Sequence, residues 1–160
     1  MPEQYTIRPA VSDDLKMIAG MWGDLALQHK AYDSECWNFR PDAAQGFAAY
    51  LQTQLDNPGA FLLVAVDGAD LPVGFVLGEV KAAIPVMTPG KVGTVSDLFV
   101  SRSHRRRKLG RHLMTAAFAK MKSLGAREVS LSVAAANETA VEMYRKMGLR
   151  IVMYRMFKTL

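Results

Sequence analysis

Between Arg102 and Arg111 the chain carries six Arg or Lys residues and no acid, with His104 and His112 as neighbours and one glycine, Gly110, near the end of the run. The apolar segment Leu98-Phe99-Val100 lies just upstream, and Leu109, Leu113, Ala117, Met121 and Leu124 follow at helical spacing. An apolar strand that feeds a basic, glycine-containing turn and then a helix start suits a phosphate group. The first N–H groups of a helix have no partner within it, and its dipole favours an anion there. The formal net charge is +5, so nearly all of the positive excess sits in this one run. A local patch of that kind points to an anionic ligand more than general basicity does.

A second constellation lies downstream. Asn137, Ala140 and Tyr144 are spaced by three and by four, which places them on one face of a helix. Asn137 suits an N-cap. Tyr144 offers a phenol with an ordinary pKa of about 10, protonated at neutral pH and able to donate a proton. Each also has a plain structural reading: Asn137 as a cap alone, Tyr144 as a half-buried packing residue.

The elements that must hold these residues are legible from periodicity. Gln4 to Arg8 reads as a strand ended by Pro9. Ser12, Asp13 and Asp14 start a helix that reaches Gln28, with Leu15, Ile18, Ala19, Trp22, Leu25 and Ala26 on its apolar face. Lys30 to Pro41 is irregular and aromatic. Asp42 opens a second helix, with Phe47, Tyr50, Leu51 and Leu55 among its apolar positions, and Asn57-Pro58-Gly59 stops it. Ala60 to Val66 and Pro72 to Val80 form a hairpin around Asp67-Gly68-Ala69-Asp70. Lys81 to Gly90 is a loop, Lys91 to Val100 a strand, Arg107 to Leu124 a helix capped by Gly125, and Glu128 to Val133 a strand. Asn137 to Met147 is a helix capped by Gly148, and Leu149 to Lys158 returns as one or two final strands. The expected architecture is an α/β domain with a mixed, mostly antiparallel sheet, a central parallel strand pair and helices on both faces.

Composition bounds the rest. With 160 residues, 50% hydrophobic and 22% charged, the chain fits one soluble globular domain over residues 1–160. No apolar run approaches the roughly 20 residues of a membrane span, and the charged opening MPEQYTIRPA does not read as a signal peptide. Cys36 is the sole cysteine, so no internal disulfide forms; beside Trp37 it reads as structural, and a cytoplasmic location is expected. No His or Cys cluster has metal-ligand spacing, so no metal is expected.

Taken together, Leu98-Phe99-Val100 with Arg105-x-x-Lys108-x-Gly110, and Asn137-x-x-Ala140-x-x-x-Tyr144-x-x-x-Gly148-Leu149, resemble the GNAT superfamily of acetyl-coenzyme A dependent N-acetyltransferases. The opening Ile7-Arg8-Pro9-Ala10 and the element order extend the resemblance over essentially the whole chain. It implies a fold in which the parallel strands splay, with Leu98, Phe99 and Val100 offering backbone to the pantetheine arm of acetyl-coenzyme A. Arg105, Arg106, Arg107, Lys108, Leu109, Gly110 and Arg111 would hold its phosphates, and Asn137 would contact the cosubstrate. Tyr144 would protonate the departing thiolate, and the backbone N–H of Val100 would face the oxyanion. The family motif has glycine where this chain has Lys108. If that position needs φ > 0, Lys costs roughly 1 kcal/mol over Gly; in an ordinary first helical turn it costs little.

The amine must lose a proton before it attacks, since a free alkylamine has a pKa near 10.4. Asp97, Glu79 and Glu35 are the candidate acceptors; Ser96, where relatives often carry Glu, is not a conventional base. Asp97 also has a purely structural reading. Tyr32, Trp37 and Phe39 are expected to form an apolar wall for the amine, with Asp33 and Glu35 attracting its charge. Two other classes stay open: a coenzyme A binding regulatory module without catalysis, and a nucleic-acid binder using Arg102 to Arg111. The run has no aromatics inside it to stack on bases, so nucleic acid is not the expected partner. A homodimer through the last strands is compatible with the sequence.

Overall fold

The computed structural model describes residues 4–88 and 90–160. Its elements in chain order are β1 (Thr6–Pro9), a 3-10 turn at Ser12–Asp14, α1 (Leu15–Tyr32), α2 (Ala43–Leu55), β2 (Ala60–Val66), β3 (Pro72–Ala82) and β4 (Lys91–Val100). A 3-10 turn at Arg102–His104, α3 (Leu109–Ser123), β5 (Ala126–Leu131) and α4 (Glu138–Lys146) complete them. The five strands lie in sequence order in one sheet. The first three pairings are antiparallel and β4 with β5 is parallel, the mixed sheet the sequence implies.

Strands β2 and β3 are buried on both faces, and their alternation divides the core in two. Leu62, Val64, Phe75 and Leu77 join Phe99 against Ile18, Leu25 and Leu51 from α1 and α2. Phe61, Leu63, Ala65 and Val76 join Val95 against Leu113, Ala117 and Met121 of α3. The entry to α1 is fixed by Asp14, which is 5% exposed. Its carboxylate accepts from Arg8 Nη1 at 2.7 Å and from the Val11 N–H at 2.8 Å. That guanidinium holds the Asp14 carboxyl below the usual carboxylate range.

Several boundaries differ from expectation for local reasons. Pro9 closes β1 instead of stopping it earlier, which an edge strand tolerates. Helix α1 runs on to Tyr32, where the phenol accepts from Gln28 Nε2 at 2.7 Å. Helix α3 starts at Leu109 and not Arg107, because Arg106 and Lys108 both adopt the left-handed conformation at φ 62°. Gly125 and Gly148, each at φ 90°, end α3 and α4 as expected. Strand β5 begins at Ala126, directly after Gly125, so it sits two residues earlier than its pattern suggests. The loop of Lys81 to Gly90 includes Pro89, which lies outside the described residues.

One expectation fails outright. Leu149 to Lys158 forms no strand, and residues 150–160 are exposed. A strand needs a neighbouring edge to pair with, and the segment instead reaches Glu35, whose carboxylate accepts from Thr159 Oγ1 at 3.0 Å.

The β3–β4 ladder carries an irregularity that later decides the site. Leu77 faces Asp97 but Gly78 faces Val95, so Ser96 is an extra residue with no partner. Gly78 permits this. A Cβ there would lie 2.5 Å from Phe61 Cζ and 2.7 Å from the Thr94 carbonyl oxygen. The Gly78→Ala variant is expected to lose about 2 kcal/mol through overpacking against backbone. A fall in Tm of roughly 4–8 °C by calorimetry would match that loss for a chain of this size.

Candidate functional site

Strand β4 is paired with β3 as far as Val100, but with β5 only as far as the Val95–Leu131 pair. From Ser96 onward its other edge faces a gap, and backbone groups there have no strand to bond. The parallel ladder therefore ends just before Leu98, Phe99 and Val100. Leu98 and Val100 face the α3 side with Tyr144, while Phe99 faces the α1 side.

The basic loop closes one end of this gap. Leu109, 2% exposed, anchors it in the core. The N–H groups of Arg106, Lys108, Leu109, Gly110 and Arg111 donate to no other backbone group among the described residues. Alternating left-handed residues and a helix start turn such N–H groups toward one concave anion site. The side chains of Arg102, Arg106, Lys108 and Arg111 are exposed around it. Two other arginines hold the loop in shape. Arg105 Nε donates to the Val100 carbonyl at 2.8 Å, and its guanidinium lies 5.3 Å from the Phe99 ring centroid. Arg107 Nη1 donates to the Tyr5 hydroxyl at 2.8 Å, which is also 3.0 Å from His104 Nδ1. These contacts fit a diphosphate ester, with backbone N–H groups as the cradle and exposed cations at its rim.

Gly110 lies beside α4. A Cβ there would meet Met143 Sδ at 3.6 Å and Val100 Cγ2 at 3.9 Å, so loop, β4 and α4 converge at this residue. Asn137 caps α4, its side-chain oxygen accepting from the Ala140 N–H at 3.3 Å. Tyr144 packs half-buried against the α3-side core. Burial alone pushes its phenol up to about 12, which keeps it protonated across the physiological range.

On the opposite face stands Asp97. The extra residue at Ser96 separates its face from that of Val95, so Asp97 meets α1 where Trp22 Nε1 donates to its Oδ1 at 3.1 Å. Burial raises the Asp97 pKa, and the Trp22 hydrogen bond and His29 oppose the rise. Trp22 stacks on Phe47 with centroids 4.4 Å apart and meets Phe39 edge-on at 5.4 Å. Tyr50 lies 5.8 Å from Phe47, and burial together with the charges of Glu79 and Asp97 raises its pKa. Trp22, Phe39, Phe47 and Tyr50 line a cavity of about 430 Å³.

The candidate acceptor residues divide between two places. Glu79 belongs to the Tyr50 and Asp97 group and pairs with Lys81 Nζ at 2.7 Å. Tyr32 and Trp37 instead meet His29 at the end of α1, at ring distances of 6.1 Å and 5.0 Å. Glu35 is bound to Thr159 there. Nothing in the sequence marks Trp22, Phe47 and Tyr50 together as site residues, because each occupies an apolar helical position that reads as core. The signal that marks Trp22 out is its indole N–H, which needs an acceptor once half-buried. Among the described residues no group of His, Cys, Asp or Glu is placed to hold a metal, and no helix is long and apolar enough to cross a membrane.

A family model described as acetyltransferase (GNAT) family matches residues 24–149. Among solved structures, a tetramutant of the BH1408 protein from Bacillus halodurans superposes with a TM-score of 0.86 at 22% identity, covering 97% of this chain and 99% of that one. Glucosamine-6-phosphate N-acetyltransferase from Arabidopsis thaliana gives 0.74 at 18% identity, with 98% and 99% covered. An aminoglycoside N-acetyltransferase in complex with CoA gives 0.70 at 18% identity, with 98% and 97% covered. At such identities these likenesses speak to the fold. No curated protein matches the sequence.

Lys108 sits at φ 62° and ψ 8°, where a side chain costs about 1 kcal/mol or more over glycine. Lys108→Gly relieves that strain, offset in part by the greater freedom of glycine in the unfolded chain. The expected result is a Tm equal to or up to about 4 °C above the parent. A fall of several degrees in a thermal melt would show that the lysine side chain stabilises the loop.

Proposed function

The chain belongs to the acetyltransferase (GNAT) family, and from that premise we propose that residues 1–160 act as one domain that transfers the acetyl group of acetyl-coenzyme A to a primary amine. The observation that carries this reading is the bare edge of β4 beyond Val95, bounded by the basic loop and Tyr144 on one face and by Asp97 on the other. The diphosphate sits on the N–H groups of residues 106–111, and the pantetheine arm bonds to β4 as a further strand would. Asn137, with its oxygen committed to the cap, retains its amide N–H groups for the arm. The thioester then lies in the gap between the two faces of the sheet.

The acceptor amine enters from the α1 side, past Trp22, Phe39, Phe47 and Tyr50, drawn by Glu79 and Asp97. Asp97 takes the ammonium proton directly or through a water, and the amine nitrogen attacks the thioester carbonyl carbon. The oxyanion forms against the Val100 N–H. The C–N bond is kept, the C–S bond breaks, and the leaving sulfur takes the proton of Tyr144. The tetrahedral nitrogen gives its second proton to water as the C–S bond breaks, water returns a proton to the phenol, and Asp97 releases its own proton to solvent. A carboxyl with a raised pKa suits this role better than a fully solvated one, since its basicity lies closer to neutral pH.

Three measurements test the reading. Acetyl-coenzyme A at about 100 times its Kd stabilises a binding protein by about 2.7 kcal/mol, so a Tm rise of roughly 5–10 °C is expected; no shift at saturation overturns the assignment. Tyr144→Phe is expected to keep that shift and lose about 10²-fold or more in kcat on an amine that the parent acetylates. A wild type that binds the cosubstrate yet acetylates no amine in a broad panel points instead to a non-catalytic module.

Asp97 gives a pH signature. Its folded-state pKa is raised above the ordinary carboxylate value, so stability falls as pH climbs through that interval and the half-buried group ionises. Asp97→Asn removes this penalty while keeping an oxygen for Trp22. The expected outcome at pH 7 is a Tm no lower than the parent, with kcat/KM down by about 10²–10⁴-fold. Trp22→Phe removes the hydrogen bond that favours the charged form, so the rising limb of the pH–rate profile moves to higher pH.

A further inference from the structure

The cavity on the α1 side is walled by four aromatic side chains, two of them open to solvent: Phe39 is 37% exposed and Tyr50 45%. An uncovered aromatic cluster of this kind suits an apolar ligand. Its rings differ in attitude. Trp22 and Phe47 lie nearly parallel, at 13°, whereas Phe39 meets Trp22 at 74°. A further ring placed among them finds both offset-stacked and edge-on partners, the two arrangements that aromatic pairs favour. At about 430 Å³ the cavity lies near the lower end of small-molecule sites, which run from about 300 to 1,000 Å³.

Polar side chains in the lining are few, and two are committed. The Trp22 indole N–H donates to Asp97, and Arg40 Nε pairs with Asp42 at 3.2 Å. That leaves Asn38 and the Tyr50 hydroxyl. An amine on a sugar carries hydroxyls on most of its carbons, and each one buried without a partner costs affinity. This lining does not supply those partners. Charge sets a second limit. Of the two carboxylates beside the rings, Glu79 is already paired with Lys81 Nζ at 2.7 Å. Asp97 pairs with no Lys or Arg among the described residues, and its hydrogen bond comes from a neutral indole. One uncompensated carboxylate suits one ammonium group. A polyamine would bring further ammonium groups to a cavity whose own charged lining residue is Arg40.

We propose that the acceptor is a monocationic amine carried on an aromatic ring through a short alkyl link, with the ring seated among Trp22, Phe39, Phe47 and Tyr50 and the nitrogen at Asp97. The link is short because the indole that packs against the ring also touches the carboxylate, at 3.1 Å. Phe39, Phe47 and Tyr50 then determine specificity: they hold the ring and take no part in proton transfer. That this amine is the acceptor rests on the acetyl-transfer reading above, whereas the seating of the ring does not.

The test has two arms. In the first, the full chain is titrated with 2-phenylethylamine, with and without coenzyme A, and the indole N–H resonances of its two tryptophans are followed by NMR, with Trp22→Phe assigning them. A saturable shift of the Trp22 resonance is expected; a resonance unmoved in both titrations overturns the proposal whatever the activity. In the second, thiol release from acetyl-coenzyme A is followed with 2-phenylethylamine, propylamine, glucosamine and spermidine. The kcat/KM for 2-phenylethylamine is expected to exceed that of each other amine by about 10²-fold, the gain from burying one ring. Phe47→Ala is expected to lose most of that advantage, chiefly in KM, and to leave propylamine little changed. Phe39→Ala, at a more exposed position, is expected to act in the same direction and serves where Phe47→Ala fails to fold. Equal or better turnover of glucosamine or spermidine, or losses shared by propylamine in both variants, overturns the proposal and leaves acetyl transfer standing. A Trp22 shift without thiol release from any amine supports the ring site and overturns the acetyl-transfer reading instead.

Discussion

The unequal pairing of β4 governs the molecule. On one side it is bonded to β3 along its whole length; on the other it loses β5 after Val95. Backbone N–H and C=O groups seldom remain without partners in a folded protein, so in the proposed role the edge of β4 beyond Val95 receives the amides of the pantetheine arm. Everything chemically notable is arranged around that edge. The loop begins where β4 ends, Arg105 ties itself to the Val100 carbonyl, and Gly110 lies beside Met143 of α4.

The extra residue at Ser96 gives this edge its two-sided character. Strict alternation would put Val95 and Asp97 on the same face. The bulge sends Val95 into the α3-side core and Asp97 toward Trp22. Its position depends on Gly78, whose missing side chain leaves room for Phe61 and the Thr94 carbonyl. A carboxylate withdrawn from water carries a desolvation penalty, here moderated by the Trp22 indole N–H and by His29. That moderation is partial, and in the proposed role the raised pKa suits the carboxylate to accepting a proton.

The loop shows a similar compromise between stability and shape. Arg106 and Lys108 both hold left-handed conformations that non-glycine residues avoid. The surrounding contacts over-determine them: Leu109 is locked in the core, Arg105 is clamped to β4, and Arg107 reaches Tyr5 just ahead of β1. In the proposed role, strain of this kind is stored where a concave row of N–H groups is needed. Lysine at position 108 adds a cation at the rim of that row at some local energetic expense.

Periodicity alone determined most of the strands and helices, because each has one or two apolar faces and turn residues at its ends. Lys91–Val100 and Ala60–Val66 could be read to the residue. The grouping of the basic run, Gly110 and Asn137 to Tyr144 was likewise visible, since local spacing places side chains on shared faces. Tertiary structure decided what spacing cannot encode. The register shift opposite Gly78 set the face of Asp97, and the left-handed residues moved the start of α3 to Leu109. Trp22, Phe47 and Tyr50 became one aromatic group only when α1 and α2 packed together. The segment after Gly148 shows the limit most clearly. Its sequence reads as a strand, but a strand exists only where a segment lies against an edge, and residues 151–160 lie against none.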